Sequence, residues 1–512
     1  MGATAVVAEL MERTGVRFGT SGLRGLADAL TDEVVYGTTR AFLDHLAARG
    51  LAGPARRAAV AGDLRPSTPR IMAAVRRAFL DAGFEAEDCG FVPTPALAAR
   101  ALAARMPAAM VTGSHIPDDR NGVKYYRPDG EILKDDEAAI LARTAPLDAP
   151  FDARGALPAP PPAAAPDIAA PDTAARDIAA RDTAVPDPAA RLGYARRFVE
   201  AFPADWLRGA RIGLYEHSAV GRDLTREILE ALGADVVPFG RSGRFVPVDT
   251  EAIRPEDEAL ARDVAAEGRF FALVSTDGDG DRPLLADERG AWLRGDVLGV
   301  LAARFFGADV VVTPVSSNSV VERCGAFRDV RRTKIGSPYV IEAMARAAAE
   351  GARAVVGYEA NGGFLTATPT PAPRGPLSPL PTRDALAPIL AALGAALRAG
   401  GPLSALAAAL PARFTHSDRL RDFPPEVSAA RLAELRAGGA AAAARLFPWL
   451  PPVASIDETD GVRMTLVGGN VVHLRPSGNA PELRCYAEAG APDEARALAE
   501  RTLADADAWR GR

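Results

Sequence analysis

The stretch AAMVTGSHIPDDRNGVK, residues 108–124, sets how the rest of the chain reads. Ala108 to Val111 form a short apolar run that stops at Thr112-Gly113-Ser114-His115, followed by Pro117, two aspartates and Asn121-Gly122. This is the pattern of a buried strand that ends in a tight polar loop. The loop sets the Ser114 hydroxyl beside the His115 imidazole, and Lys124 follows ten residues after the serine. A serine at a strand end beside His and Lys suits a nucleophile or a phosphate carrier, and equally an ordinary Ser/His turn.

Working outward, Ala58–Ala61 is a strand candidate that ends in Gly62-Asp63-Leu64-Arg65-Pro66-Ser67-Thr68. Asp63 and Arg65 are expected to tie that loop together, and Ser67 or Thr68 to cap a helix over Pro69–Ala82. Phe84–Val92 reads as the next strand, and Pro93-Thr94-Pro95 opens another helix. Strands alternating with helices predict an α/β unit with parallel strands, whose ligands sit at the strands' carboxyl ends. Ser114 falls at one. Further upstream, RFGTSGLRG (residues 17–25) has the glycines to wrap its amides around an anion and set Arg24 on it.

Downstream, residues 145–190 break the pattern with PDIAA, PDTAA, RDIAA, RDTAV and PDPAA. Such an Ala/Pro/Asp repeat builds no core and reads as a linker or surface excursion. Beyond it, Phe270–Ser275 runs into Thr276-Asp277-Gly278-Asp279-Gly280-Asp281-Arg282. Three carboxylates spaced by glycine suit Mg²⁺ or another hard divalent ion. An EF-hand does not fit, because Arg282 stands at the sixth loop position and Pro283 at the seventh. Ala354–Gly357 delivers Tyr358-Glu359-Ala360-Asn361-Gly362-Gly363, where Glu359 and Asn361 are expected to point the same way from an extended segment. An acid and an amide so placed suit sugar hydroxyls. By residue type alone Lys334 and Arg383 read as surface groups. Finally, Val462–Leu466 and Asn470–Leu474 form a hairpin pattern around Gly468-Gly469 and lead into Arg475-Pro476-Ser477-Gly478-Asn479-Ala480-Pro481, with Arg484 beyond. Two arginines, a serine and turn amides suit a phosphate.

The chain's 512 residues exceed what one core accommodates. A net charge of -6 argues against a general nucleic-acid binder. Cys89, Cys324 and Cys485 show neither zinc spacing nor a disulfide framework, so a reducing cytoplasm is the expected location. There is no signal-peptide pattern and no apolar run long enough to span a membrane.

Taken in order, RFGTSGLRG, TGSHIP, NGVK, DGDGDR, GYEANGG and RPSGNAPELR resemble the successive signatures of the α-D-phosphohexomutase family, over nearly the whole chain except about 150 to 190. That family includes phosphomannomutases, phosphoglucomutases and phosphoglucosamine mutases. The resemblance implies an α/β protein of four domains around a central cleft, three similar mixed α/β sandwich domains and a smaller C-terminal α+β domain. Their expected bounds are 1–145, 191–295, 296–410 and 411–512, with 146–190 as the excursion.

The resemblance further implies that Ser114 is a phosphoserine, and that Asp277, Asp279, Asp281 and a phosphoserine oxygen hold one Mg²⁺. Arg24, His115, Lys124 and Arg282 would surround the phosphoryl group, with Lys124 or His115 assisting proton transfer. Lys334, Glu359 and Asn361 would meet the sugar, and Arg475, Ser477, Asn479 and Arg484 the non-reacting phosphate. The implied reaction interconverts hexose 6-phosphate and hexose 1-phosphate through a hexose bisphosphate, which also serves as activator. Mannose phosphate is the expected substrate, with glucose and glucosamine phosphates as alternatives. The more distant alternatives are a metal-dependent sugar phosphatase and a non-catalytic sugar-phosphate-binding regulator. The expected partners are small-molecule hexose phosphates, with neither nucleic acid nor membrane, and the chain is expected as monomer or homodimer.

Three departures stand out. TGSHIP replaces the frequent TASHNP, Gly362-Gly363 stands where many members have Gly-His, and Gly336-Ser337 where some have Gly-His.

Overall fold

Three sheets repeat one arrangement, and each builds it from short Val/Ala/Leu-rich runs separated by helices. The computed structural model describes residues 3–19, 22–53, 55–158, 186–477 and 481–511. In the first sheet, Glu85–Phe91, Arg57–Gly62 and Ala108–Val111 lie side by side in parallel, and Arg120–Arg127 returns antiparallel. In the second, Asp235–Phe239, Arg211–Tyr215 and Ala272–Thr276 are parallel, and Pro283–Ala286 returns antiparallel. In the third, Asp329–Thr333, Val310–Pro314 and Val355–Tyr358 are parallel, and Phe364–Thr366 returns antiparallel. Every residue of Ala108–Val111, Ala272–Thr276 and Val355–Tyr358 is buried. A strand covered on both faces needs a continuous apolar run rather than an alternating one, as these sequences supply. In each sheet the turn between the third parallel strand and its return carries a polar loop. The Ser114, aspartate and Glu359 loops therefore occupy equivalent places at strand carboxyl ends.

The fourth sheet is wholly antiparallel, in the order Phe414–Leu420, Leu483–Ala489, Val471–Pro476, Val462–Leu466 and Val453–Asp457. The expected hairpin around Gly468-Gly469 forms there, and the helix Pro492–Asp507 closes the chain as read from its proline and acidic first turn. The molecule is thus three like α/β units and a smaller α+β unit around a cleft. Among the described residues no helix is long and apolar enough to cross a membrane.

Local expectations meet tertiary constraints in three places. Asn121-Gly122 is not a turn: it lies on Arg120–Arg127, paired to Gly22–Leu26 on one side and Ala108–Val111 on the other. Pairing on both edges overrides the local turn preference. RFGTSGLRG is a hairpin of Arg17–Phe18 with Gly22–Leu26, its Thr20 and Ser21 lying outside the described residues. The Ser67/Thr68 cap does not form at the helix Thr68–Asp81. Thr68 Oγ1 donates instead to Asp63 Oδ1 at 2.8 Å, and Pro69 fills the first turn. The excursion expected at 146–190 is narrower at both edges, since Thr144–Leu147 pairs with Ala3–Val6 and a helix starts at Ala189, while 159–185 lie outside the described residues.

One apolar core runs through the first three units, joining Leu97 and Ala101 to Phe198, Trp206, Leu298, Phe306 and Leu390. Two of the chain's histidines are locked into buried positions: His217 Nε2 donates to the Thr276 carbonyl at 2.8 Å, and His473 Nε2 donates to the Asp460 carbonyl. Burial holds both at about 4, well below the ordinary imidazole value. Between about pH 4 and 6.5 the unfolded chain binds protons there and the folded chain does not, so stability falls as pH drops through that window. Calorimetry should find Tm falling from pH 7 to pH 5, with a shallower slope in His217→Gln.

Candidate active site

Ser114 is 2% exposed and takes a left-handed backbone conformation, φ 55. Such a conformation costs a non-glycine residue of order 1–3 kcal/mol and persists only where its surroundings hold it. Here the Ser114 amide donates to Thr112 Oγ1 at 2.8 Å, and Thr112 Oγ1 donates to Asp63 Oδ2 at 2.7 Å. The fully buried Arg65 binds the rest of the loop. Its Nε donates to Asp63 Oδ2, its Nη1 to the carbonyls of Pro117 and Arg120, and its Nη2 to those of Ser114 and Ile116. The expected Asp63–Arg65 tie is therefore present and reaches further than the local loop. It also explains the glycine in TGSHIP: a Cβ on Gly113 would lie 2.5 Å from Arg65 Cζ. Removing one partner of a buried pair leaves a charge uncompensated, at a cost of about 3–5 kcal/mol. Arg65→Met should lose stability on that scale in urea unfolding.

The three aspartates converge. Asp277, Asp279 and Asp281 are each 0% exposed, and one carboxylate oxygen from each lies within 4.8 Å of the others. Ser114 Oγ donates to Asp277 Oδ2 at 2.7 Å, so the serine hydroxyl sits directly at this cluster. Lys124, carried in from the return strand, donates from Nζ to Asp279 Oδ2 and Asp281 Oδ2, both at 2.6 Å. Thr94 Oγ1 donates to Asp279 Oδ2 at 2.6 Å. Asp279 Oδ1 and Asp281 Oδ1 are buried without a hydrogen-bond partner. Burial, with the charges of Asp279 and Asp281, pushes Asp277 well above the carboxylate range. Asp281 is held below that range because Arg383, Lys124 and Arg282 outweigh its burial. Bare buried oxygens on an all-carboxylate donor set are what a hard divalent cation satisfies, so these residues fit Mg²⁺.

Cations line the other side. Arg282 Nη1 donates to His115 Nδ1 at 2.8 Å, which makes the imidazole neutral with its proton on Nε2. Burial and Arg282 push His115 down to about 3, and its Nε2 lies 3.9 Å from Asp249 Oδ2. Ser114 Oγ lies 3.3 Å from the same Nδ1. Arg24 has no carboxylate within ion-pair distance among the described residues, and burial together with Arg282 and Arg383 lowers it to about 10. Mutually repelling guanidiniums beside a serine describe an anion site.

Glu359 and Asn361 lie in a tight turn, not the extended segment expected from their spacing. Gly362 N donates to the Glu359 carbonyl, and Asn361 Oδ1 accepts from Gly363 N. Glu359 Oε2 accepts from Arg383 Nη1 at 3.1 Å, and Arg383 Nε donates to Asp281 Oδ2 at 3.0 Å. Arg383, read as a surface group, is 4% exposed and joins the Glu359 loop to the aspartate loop. Its signal in the sequence is its place at the end of Leu380–Asp384, a strand that residue type alone did not disclose. Asp249 was missed as well. Lys334 is exposed, its Nζ 5.9 Å from the Tyr339 ring centroid.

In the fourth unit, Arg475 and Arg484 face each other across antiparallel strands. Like charges in direct opposition are unfavourable, and acids relieve them here: Asp460 Oδ1 accepts from Arg475 Nε at 2.8 Å, and Glu482 Oε2 from Arg484 Nη2 at 3.0 Å. The Ser477 amide donates to the Glu482 carbonyl at 2.8 Å. Asp460 Oδ2 also accepts from the amide of Ile335, next to Lys334, which ties this loop to the third unit. Asn479 lies outside the described residues.

Family models for the four phosphoglucomutase/phosphomannomutase domains match the chain in order: alpha/beta/alpha domains I, II and III at residues 15–149, 193–290 and 294–414, and the C-terminal domain at 426–504. The chain belongs to the phosphoglucomutase/phosphomannomutase family. Within this family it is similar to a phosphomannomutase of Sinorhizobium fredii, 43% identical over 496 residues that cover 96% of this chain and 98% of that protein. It is also similar to a phosphomannomutase of Salmonella muenchen, 41% identical over 508 residues covering 98% of each. The fold is shared with a phosphoglucomutase/phosphomannomutase family protein from Burkholderia thailandensis, with a TM-score of 0.69 at 20% identity, covering 95% of this chain and 97% of that one. As a member of the phosphoglucomutase/phosphomannomutase family the chain is a phosphohexomutase, and the aspartate triad is its candidate magnesium site.

Proposed function

We propose that this enzyme is a phosphomannomutase, moving a phosphoryl group between the 1 and 6 positions of mannose phosphate through Ser114. Two observations carry the reading together: full-length identity above 40% to two phosphomannomutases, and the Ser114 hydroxyl bonded into the aspartate cluster. Asp277, Asp279 and Asp281 would hold the magnesium ion, which supplies Lewis-acid stabilisation of charge on the transferring phosphoryl group.

The chain's own groups divide the remaining work. Ser114, phosphorylated, gives its phosphoryl group to a sugar hydroxyl, and the resulting bisphosphate turns and returns the other phosphoryl group to the serine. Arg24 and Arg282 neutralise the phosphoryl oxygens. His115, neutral with its Nδ1 lone pair taken by Arg282, presents Nε2–H as a hydrogen-bond donor, and would accept a proton only where Arg282 turns from it to a phosphoryl oxygen. Lys124, kept protonated by Asp279 and Asp281 against the cost of its burial, is the candidate acid. Glu359 and Asn361 meet sugar hydroxyls beside Lys334, while Arg475, Ser477, Asn479 and Arg484 hold the phosphate that is not reacting. Binding through general phosphate donors lets that cradle accept either end of the sugar.

The test is a coupled assay of the purified protein with mannose, glucose and glucosamine phosphates, with and without Mg²⁺ and hexose bisphosphate. Mannose phosphate should give the highest kcat/KM. A clear preference for glucose or glucosamine phosphate would reassign the substrate, and stoichiometric phosphate release without isomer would make the enzyme a phosphatase.

A further inference from the structure

We propose that Arg383 is a positioning residue that makes magnesium binding and sugar binding interdependent, in the space that the missing side chain at Gly363 leaves open. The inference rests on the functional reading above for the triad and Glu359.

The geometry is specific. From the strand Leu380–Asp384, Arg383 reaches a carboxylate of a different unit and one of its own: Nε and Nη2 lie 3.0 and 2.9 Å from Asp281 Oδ2, and Nη1 donates to Glu359 Oε2 at 3.1 Å. Lys124 Nζ also chooses Asp281 Oδ2. All these donors gather on one oxygen, and the buried Asp281 Oδ1 accepts no hydrogen bond, with Arg282 Nε beside it at 3.7 Å. Arg383 thus turns Asp281 so that its other oxygen is presented for a cation. The same planar fork fixes Glu359, and a guanidinium cannot adjust one arm without moving the other. A shift of Glu359 onto a sugar hydroxyl is therefore felt at Asp281.

Room for this arm exists because position 363 has no side chain. A Cβ on Gly363 would lie 2.4 Å from Arg383 Cδ and 2.6 Å from its Cγ. Gly363 stands where many family members have histidine, so a side chain there and the present course of Arg383 exclude each other. The arginine's Cγ and Cδ occupy the space that a Cβ at Gly363 would take, and its guanidinium adds a bond to the aspartate loop. The competing reading is a simple staple between two units, which would support stability without linking the two ligands.

Linkage separates the two readings, because a coupling between ligands is reciprocal and measurable at equilibrium. In a Ser114→Ala background, which leaves sugar phosphates intact, Mg²⁺ affinity is titrated calorimetrically with and without saturating mannose 1,6-bisphosphate. Arg383→Lys keeps a cation between the carboxylates but loses the planar fork that holds them in one fixed relation. It should leave Tm nearly unchanged and reduce the affinity ratio with and without sugar at least fivefold. Glu359→Gln leaves Arg383 on Asp281 and still should shift Mg²⁺ affinity in the absence of sugar at least threefold. An unchanged ratio in Arg383→Lys overturns the proposal; so does an unshifted Mg²⁺ affinity in Glu359→Gln, which also decides the matter if Arg383→Lys fails to fold. The protein with Ser114 is assayed in parallel. Its failure to isomerise hexose phosphates removes the functional reading, whereas turnover with unchanged linkage removes only the role of Arg383.

Discussion

Ser114→Ala should abolish isomerisation, lowering kcat by at least about 10³-fold while leaving the fold intact. The size follows from what the hydroxyl does. It is the group bonded to Asp277 Oδ2, and its neighbour Thr112 spends its own hydroxyl on Asp63 and the Ser114 amide. A carrier step has no parallel route when the carrier is gone, and a loss of 10³ corresponds to about 4 kcal/mol of barrier. The backbone bonds that Arg65 makes around the loop use carbonyls, not the serine side chain, so Tm should change little. The check is the coupled assay together with peptide mapping of phosphate. Full activity in Ser114→Ala would eliminate the carrier role.

Asp277→Asn should have an equally large effect on turnover and an opposite effect on the metal-free protein. Without a cation the three buried carboxylates repel one another, and Asp277 is pushed well above its ordinary range by burial and by Asp279 and Asp281. The folded chain then holds a proton there that the unfolded chain releases above about pH 4, so this group costs stability as pH rises past that value. Asparagine removes the cost. Metal-free Asp277→Asn should therefore melt higher than metal-free wild type at pH 7, yet bind Mg²⁺ weakly and turn over at least about 10³-fold more slowly. Wild type should gain Tm with added Mg²⁺, rising with the logarithm of the ion concentration once that exceeds Kd. Differential scanning calorimetry with and without Mg²⁺ reads both signs, and a metal-free variant that melts lower than wild type would contradict the electrostatic account.

The legible parts of the site were those written locally. DGDGDR carries its candidate ligands and its glycines within six residues, and the Ser114 loop announces itself by an apolar run that stops. The Asp63–Arg65 tie is also local, two residues apart. What the chain hides is long-range. Arg383 has its partners 102 and 24 positions away, and nothing beside it in the sequence marks a buried bridge. The return strand behind Lys124 is masked by Asn121-Gly122, a turn signal that pairing on both sides overrules. The same holds for Glu359 and Asn361, where the spacing suggested an extended segment and hydrogen bonds from Gly362 and Gly363 fold it into a turn. The three-fold repetition of the sheets is likewise a matter of strand order rather than of sequence similarity. The family resemblance implied three similar units, and the strand orders show how each polar loop comes to lie between equivalent strands.

The most direct test is a chase from the labelled enzyme. The protein is labelled on the phosphoserine with radioactive hexose bisphosphate, the site is mapped, and unlabelled mannose 6-phosphate is added with Mg²⁺. The account predicts label on the peptide carrying Ser114, followed by its transfer into mannose bisphosphate and then mannose 1-phosphate. Label on another residue, or label released as inorganic phosphate with none in sugar, would contradict it.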